Sequence, residues 1–118
     1  MTAFLSLAQG IFYLITGIWP VVSRSTFEKV TGPKVDFWLV RTIGVLIAVV
    51  GGVLSLAGLK RQVNDEISLL AVGSAAGLAG SDLVYVSKGR ISPVYLLDAL
   101  AEMVLIALWA FALRKKDI

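Results

Sequence analysis

The apolar residues of this chain come in long runs rather than in alternation. Four stretches, Ala3 to Val22, Trp38 to Leu59, Ile67 to Val86 and Pro93 to Leu113, are mostly apolar. Each is close to the roughly 20 residues that a helix needs to cross a hydrocarbon core about 30 Å thick. The polar and small residues inside the runs fall at helical spacing. Ser6, Gln9, Tyr13 and Thr16 line one side of the first, and Arg41, Gly44, Ala48, Gly51, Ser55 and Gly58 one side of the second. On the third, Ala75, Ala79 and Asp82 share a face, beside a Gly73/Gly77 pair in small-xxx-small spacing. These stripes predict the inward faces. Lipid supplies no hydrophobic drive between helices, so small residues there predict close packing.

The connections are short and polar, which makes successive helices antiparallel neighbours. Between the first two runs, in SRSTFEKVTGPKVDF, Ser25 and Glu28 have the spacing of a capping box and Gly32-Pro33 ends what they start. Two outcomes are open there: a short interfacial helix over about 26–31 with Phe27 and Val30 towards lipid, or an irregular loop. KRQVNDE and SKGRIS are turns. The expectation is an all-α, up-down-up-down bundle of four transmembrane helices forming one integral membrane domain over residues 1–118, both termini on one side. The first run has no basic residue ahead of it and no small-x-small pattern before Trp19-Pro20, so it is expected to be retained rather than cleaved as a signal peptide.

Composition agrees with that solvent. Hydrophobic residues make up 58% of the 118 and charged ones 16%, with a mean hydropathy of +0.87, far more apolar than a soluble domain. Charge does not orient the chain. Lys60, Arg61, Arg114, Lys115 and Lys116 on the termini side balance Arg24, Lys29, Lys34, Lys88 and Arg90 on the other. The basic loops suit a lipid bilayer with anionic headgroups rather than nucleic acid. With neither cysteine nor histidine, disulfides, thiolate nucleophiles and imidazole metal or haem sites are excluded, and no cofactor is expected. Trp38 and Trp109 suit interfacial belts.

Acids inside the runs are the sharpest chemical signal. A charge at mid-bilayer costs about 2.5–3.5 kcal/mol on insertion scales, so it normally faces the bundle interior and finds a partner. Asp98 and Glu102, four apart, share a face. Antiparallel topology gathers Asp36, Arg41, Asp82, Asp98 and Glu102 into the half away from the termini, flanked by Tyr85 and Tyr95. Arg41 can hold one carboxylate, Asp82 or Asp98 by depth. Glu102, the deepest, is then the surplus acid, expected in its protonated form.

Two readings follow from those groups. In one, Arg41, Asp82 and Asp98 form a buried ionic latch and Glu102 bonds to Gln9, Tyr13 or Thr16. In the other, Glu102, Asp98, Arg41, Asp82, Tyr95, Tyr85, Tyr13 and Gln9 form a ligand- or proton-binding site with Glu102 exchanging. A carboxylate-only metal site is disfavoured by Arg41 competing for the acids. No catalytic residues are expected, because no nucleophile is paired with a base and no phosphate-cradling loop appears.

The segments RSTFEKVTGPKVDFWLVRTIG and SDLVYVSKGRISPVYLLDALAEMVLIALW resemble small four-helix bacterial membrane proteins of a DoxX-like kind. That resemblance implies a multi-pass protein of the bacterial inner membrane and brings no catalytic residues with it. Small multidrug-resistance transporters are similar in architecture, but they carry their acid on the first helix, where this chain has Gln9. The expected function is non-enzymatic: a charged intramembrane cavity that binds or transports a small amphipathic or lipophilic molecule, with proton coupling. The alternative is a structural or accessory subunit of a larger membrane complex. Glycine-rich faces also lead us to expect a homo-oligomer or a partner membrane subunit.

Overall fold

A computed structural model describes residues 2–32, 37–89 and 93–116, the side chains of 115 and 116 excepted. Among these residues the chain forms five helices: α1 (Thr2–Val22), α2 (Arg24–Thr31), α3 (Phe37–Leu59), α4 (Asp65–Ser87) and α5 (Tyr95–Lys116). Four of them, α1, α3, α4 and α5, are long and apolar enough to cross a membrane. At about 1.5 Å per residue, 21 to 23 residues span roughly 31–35 Å. The fold is an all-α four-helix bundle of a multi-pass membrane protein, with α2 as an additional short helix.

The ends of these helices follow local chemistry. Asn64 caps α4 by accepting the Ile67 amide at 3.0 Å, and Asp65 and Glu66 occupy the first turn. The helix therefore starts two residues before the apolar run does. After α3, Arg61 takes a left-handed φ of 54°. The Gln62 amide there reaches the Ala57 carbonyl and the Arg61 amide the Gly58 carbonyl, closing a Schellman turn. α5 starts at Tyr95, two residues later than the apolar run, after a turn in which Leu96 bonds back to the Pro93 carbonyl.

α2 is a helix rather than a loop, but it differs from expectation in two ways. Its N-cap is Ser23, which makes no side-chain cap bond, so Ser25 lies inside the helix and no capping box forms. Phe27 is buried instead of facing lipid. Its ring stacks edge-on against Trp19 at 5.2 Å and Phe37 at 6.1 Å, because aromatic partners at the end of α1 and the start of α3 bury it better than lipid headgroups do. Gly32, with φ 93°, ends the helix. Pro33 and Asp36 lie outside the described residues.

Packing within the bundle is uneven. α1 and α3 are in intimate contact along their length, α4 and α5 form a looser pair, and the two pairs touch sparsely. The intimacy comes from the small-residue stripe of α3. A Cβ on Gly17 would sit 2.5 Å from the Gly44 carbonyl oxygen, and one on Gly51 2.6 Å from that of Gly10. Backbones approach this closely only where side chains are missing. Gly73 and Gly77 do the opposite of what their spacing predicts. Both are exposed, and nothing stands within 4 Å of a Cβ built on either. The α4 face that packs inward is the adjacent one expected, Ala75, Ala79 and Asp82, extended by Ala71.

Burial is inverted relative to a water-soluble protein. Ser6, Gln9 and Glu102 are fully buried, while Phe4, Leu69 and Leu97 expose 72%, 73% and 68% of their surface. Apolar surface of this extent belongs against lipid. Replacing Gly51 by alanine is expected to cost about 1–3 kcal/mol, since two backbones must separate. Gly73→Ala is expected to be stabilising by about 0.5–1 kcal/mol through helix propensity alone. Reversible unfolding of both variants in mixed micelles checks the contrast.

Candidate functional site

Two polar assemblies occupy the bundle, one sealed and one open. The sealed one is organised by α1. Gln9 accepts the indole N–H of Trp109 on α5 at 2.7 Å and donates its amide to the Ala71 carbonyl on α4 at 2.9 Å. One turn further, the Tyr13 hydroxyl donates to Glu102 on α5, 2.6 Å from Oε1 and 3.1 Å from Oε2. One turn back, the Ser6 hydroxyl donates to the Leu54 carbonyl on α3 at 2.6 Å. All four side chains on these bonds, and Trp109, are within 1% of complete burial. With no water to share, each bond satisfies a group that would otherwise be orphaned in an apolar interior.

Trp109 is thereby a core residue rather than an interfacial one. The signal was available in the sequence: Trp109 lies seven residues, two helical turns, beyond Glu102 and so shares its face. Trp38, by contrast, is exposed.

The open assembly is a cavity of about 360 Å³ between the two helix pairs. Its walls are apolar and aromatic, including Trp19, Phe27, Ile47 and Leu78, and its polar groups are Tyr13, Thr16, Thr31, Asp82, Tyr95 and Asp98. α2 contributes Phe27, Val30 and Thr31 to the wall. Tyr95 is in hydrogen-bond contact with Thr31, which fastens the start of α5 to the end of α2. Residue 20 is a proline without an N–H, so the carbonyl of Thr16 lacks its helical donor.

Asp82 on α4 and Asp98 on α5 line the same cavity and interact electrostatically. Asp98 sits in the first turn of α5, at the positive end of the helix dipole. Asp82 is 7% exposed, and its Oδ2 is buried without a partner.

The sequence candidates thus divide into three groups. Tyr13, Asp82, Tyr95 and Asp98 line the cavity. Glu102 and Gln9 lie outside its lining, in the sealed network, so the deepest acid is not the one the cavity presents. Arg41 and Tyr85 do not join the site: both are exposed, and the ionic latch does not form. The Arg41 guanidinium stands 5.1 Å from the Phe37 ring, with that of Arg24 at 4.7 Å. Arg41 lies one turn into α3 and stacks on the residue four before it, keeping its charge at the interface at less cost than burial.

Among the described residues the ion pair present is Arg24–Glu28, at 2.6 Å on α2. No group of three or more acids among them is arranged to hold a metal ion. Phe27, Trp19 and Thr31 were missed as cavity residues because they meet only when α2 folds back.

No family model, curated protein or solved structure matches the chain. What fold and site define is a class: a multi-pass helical membrane protein with an acid-bearing cavity within the bundle.

The sealed network yields a direct test. Trp109→Phe leaves the Gln9 carbonyl oxygen without its donor and is expected to be destabilising. A double-mutant cycle with Gln9→Leu is expected to return a coupling of about 0.5–2 kcal/mol, the range of interhelical hydrogen bonds in membranes. Additivity within error would show that the bond contributes nothing.

Proposed function

We propose that this protein binds a small amphipathic or lipophilic molecule in the cavity bounded by Tyr13, Asp82, Tyr95 and Asp98, in the inner membrane of a bacterial cell. The observation that carries the reading is a 360 Å³ space with apolar walls and a few convergent polar groups, the ordinary composition of a small-molecule site. Four of its five contributing helices are membrane spans, so a ligand reaches it from the lipid phase. Any proton exchange linked to binding or transport belongs to the Asp82–Asp98 pair rather than to Glu102, which Tyr13 holds in a fully buried bond. The bacterial setting rests on the resemblance of the loop and the last two helices to small bacterial membrane proteins. The reading is of a binding or transport protein rather than an enzyme.

A second reading, an accessory subunit or a homo-oligomer, is favoured by one observation. Gly73, Gly77 and Gly80 on α4 leave open space where another helix would fit. Such a subunit is expected to be unstable alone and to recover with its partner.

Native mass spectrometry of protein taken directly from membranes distinguishes the two. Wild type is expected to carry a bound lipophilic molecule. Leu78→Trp, which fills the cavity from α4, is expected to lose it while remaining folded. Bare chains for both proteins would overturn the binding reading.

A further inference from the structure

The polar end of the cavity is built from acceptors. Asp82 is more than nine-tenths buried and lines the cavity, yet its Oδ2 receives no hydrogen bond. A buried carboxyl oxygen without a donor is costly, and the cavity that the Asp82 side chain lines is wide enough for a ligand. Asp98 adds a second carboxyl group at the same place. No basic side chain is among the described residues that line the cavity. The two arginines nearest in sequence to its walls are engaged elsewhere: Arg24 bonds Glu28, and Arg41 stacks on Phe37.

Charge and shape then narrow the ligand. Two carboxyl groups line this end of the cavity with no basic side chain among the described lining residues, so a positive charge on the ligand is what can answer them. The cavity also presents the aromatic rings of Tyr13, Trp19, Phe27 and Tyr95, whose faces attract cations. An anionic headgroup would meet like charge in a low-dielectric space, and a neutral alcohol would satisfy one acceptor and leave the charge unbalanced.

We infer that the ligand is a lipophilic monoamine, bound in its protonated form, whose N–H groups donate to Asp82 and Asp98 while its apolar part lies against Ile47 and Leu78. This rests on the reading of the cavity as a binding site. A charge-assisted bond from an ammonium is worth more than a neutral one from an alcohol by enough to give about a tenfold difference in affinity.

The test uses the full chain in phosphatidylcholine nanodiscs near neutral pH, titrated with decylamine, decyltrimethylammonium or decanol, with thermal stabilisation as the readout. Decylamine is expected to bind about tenfold more tightly than decanol, with decyltrimethylammonium between them because it has charge but no N–H. In the double variant Asp82→Asn, Asp98→Asn the decylamine advantage is expected to fall to about twofold or less, with decanol unchanged. The loss of both carboxylates and the retention of shape leave only neutral bonds there.

Should that variant fail to fold, Asp82→Asn and Asp98→Asn singly, each of which leaves one carboxylate, are each expected to lose part of the decylamine advantage. Equal binding of decanol and decylamine to wild type would overturn the amine and leave the binding reading standing. So would an amine preference that survives both substitutions. If no decyl compound stabilises wild type, the binding reading falls as well. Tighter binding of decyltrimethylammonium than of decylamine would overturn the role given to the N–H donors.

Discussion

The bond between the Trp109 indole and Gln9, continued from Gln9 to the Ala71 carbonyl, is the constraint on which the rest of the bundle depends. A side-chain amide within hydrocarbon has no water to turn to, so its donor and acceptor must both be met by other helices. Meeting them fixes the rotation of α1 against α4 and α5 together. Tyr13 and Ser6 lie one turn to either side of Gln9, and the same rotation delivers them to Glu102 and the Leu54 carbonyl. α1 is therefore bonded through side chains to every other membrane-spanning helix.

The two kinds of cohesion divide the work. Between α1 and α3 the glycine seam brings backbones together and dispersion suffices, with the Ser6 bond as a supplement. Between the helix pairs, where contact is sparse, hydrogen bonds replace packing. That sparseness has a second consequence. Helices held apart and tied at a few points leave room between them, and the cavity occupies that room on the side closed by α2. The aromatic group of Trp19, Phe27 and Phe37 sets how α2 sits over it.

The intramembrane acids meet their desolvation in different ways. Glu102 is answered by a hydroxyl from α1 and is completely buried. Asp82 and Asp98 both line the cavity, and Asp82 keeps a buried oxygen without a partner, which is what gives the cavity its chemical character. Arg41, the cation available to them by sequence, takes the less expensive course of staying at the interface against Phe37. An arginine one turn from a helix end can reach water along its own stem, whereas an aspartate in the body of α4 cannot.

The sequence by itself determined the solvent, the number of spanning helices and the inward faces of α1 and α3. Each of these depends on run length or on helical period, and both are local properties of a chain in hydrocarbon. It also brought Asp82, Asp98 and Tyr95 to one half of the bundle, since antiparallel topology fixes depth. Only the tertiary structure decided which acid faces open space, because that depends on the rotation of each helix about its own axis. A shift of about 100° per residue exchanges an inward position for an outward one. The same freedom turned Gly73 and Gly77 outward, took Trp109 from the interface into the core and sent Arg41 away from the carboxylates. The aromatic wall from α2 could not be read from the chain at all, for its residues meet the acids only after a short helix has folded back across the bundle.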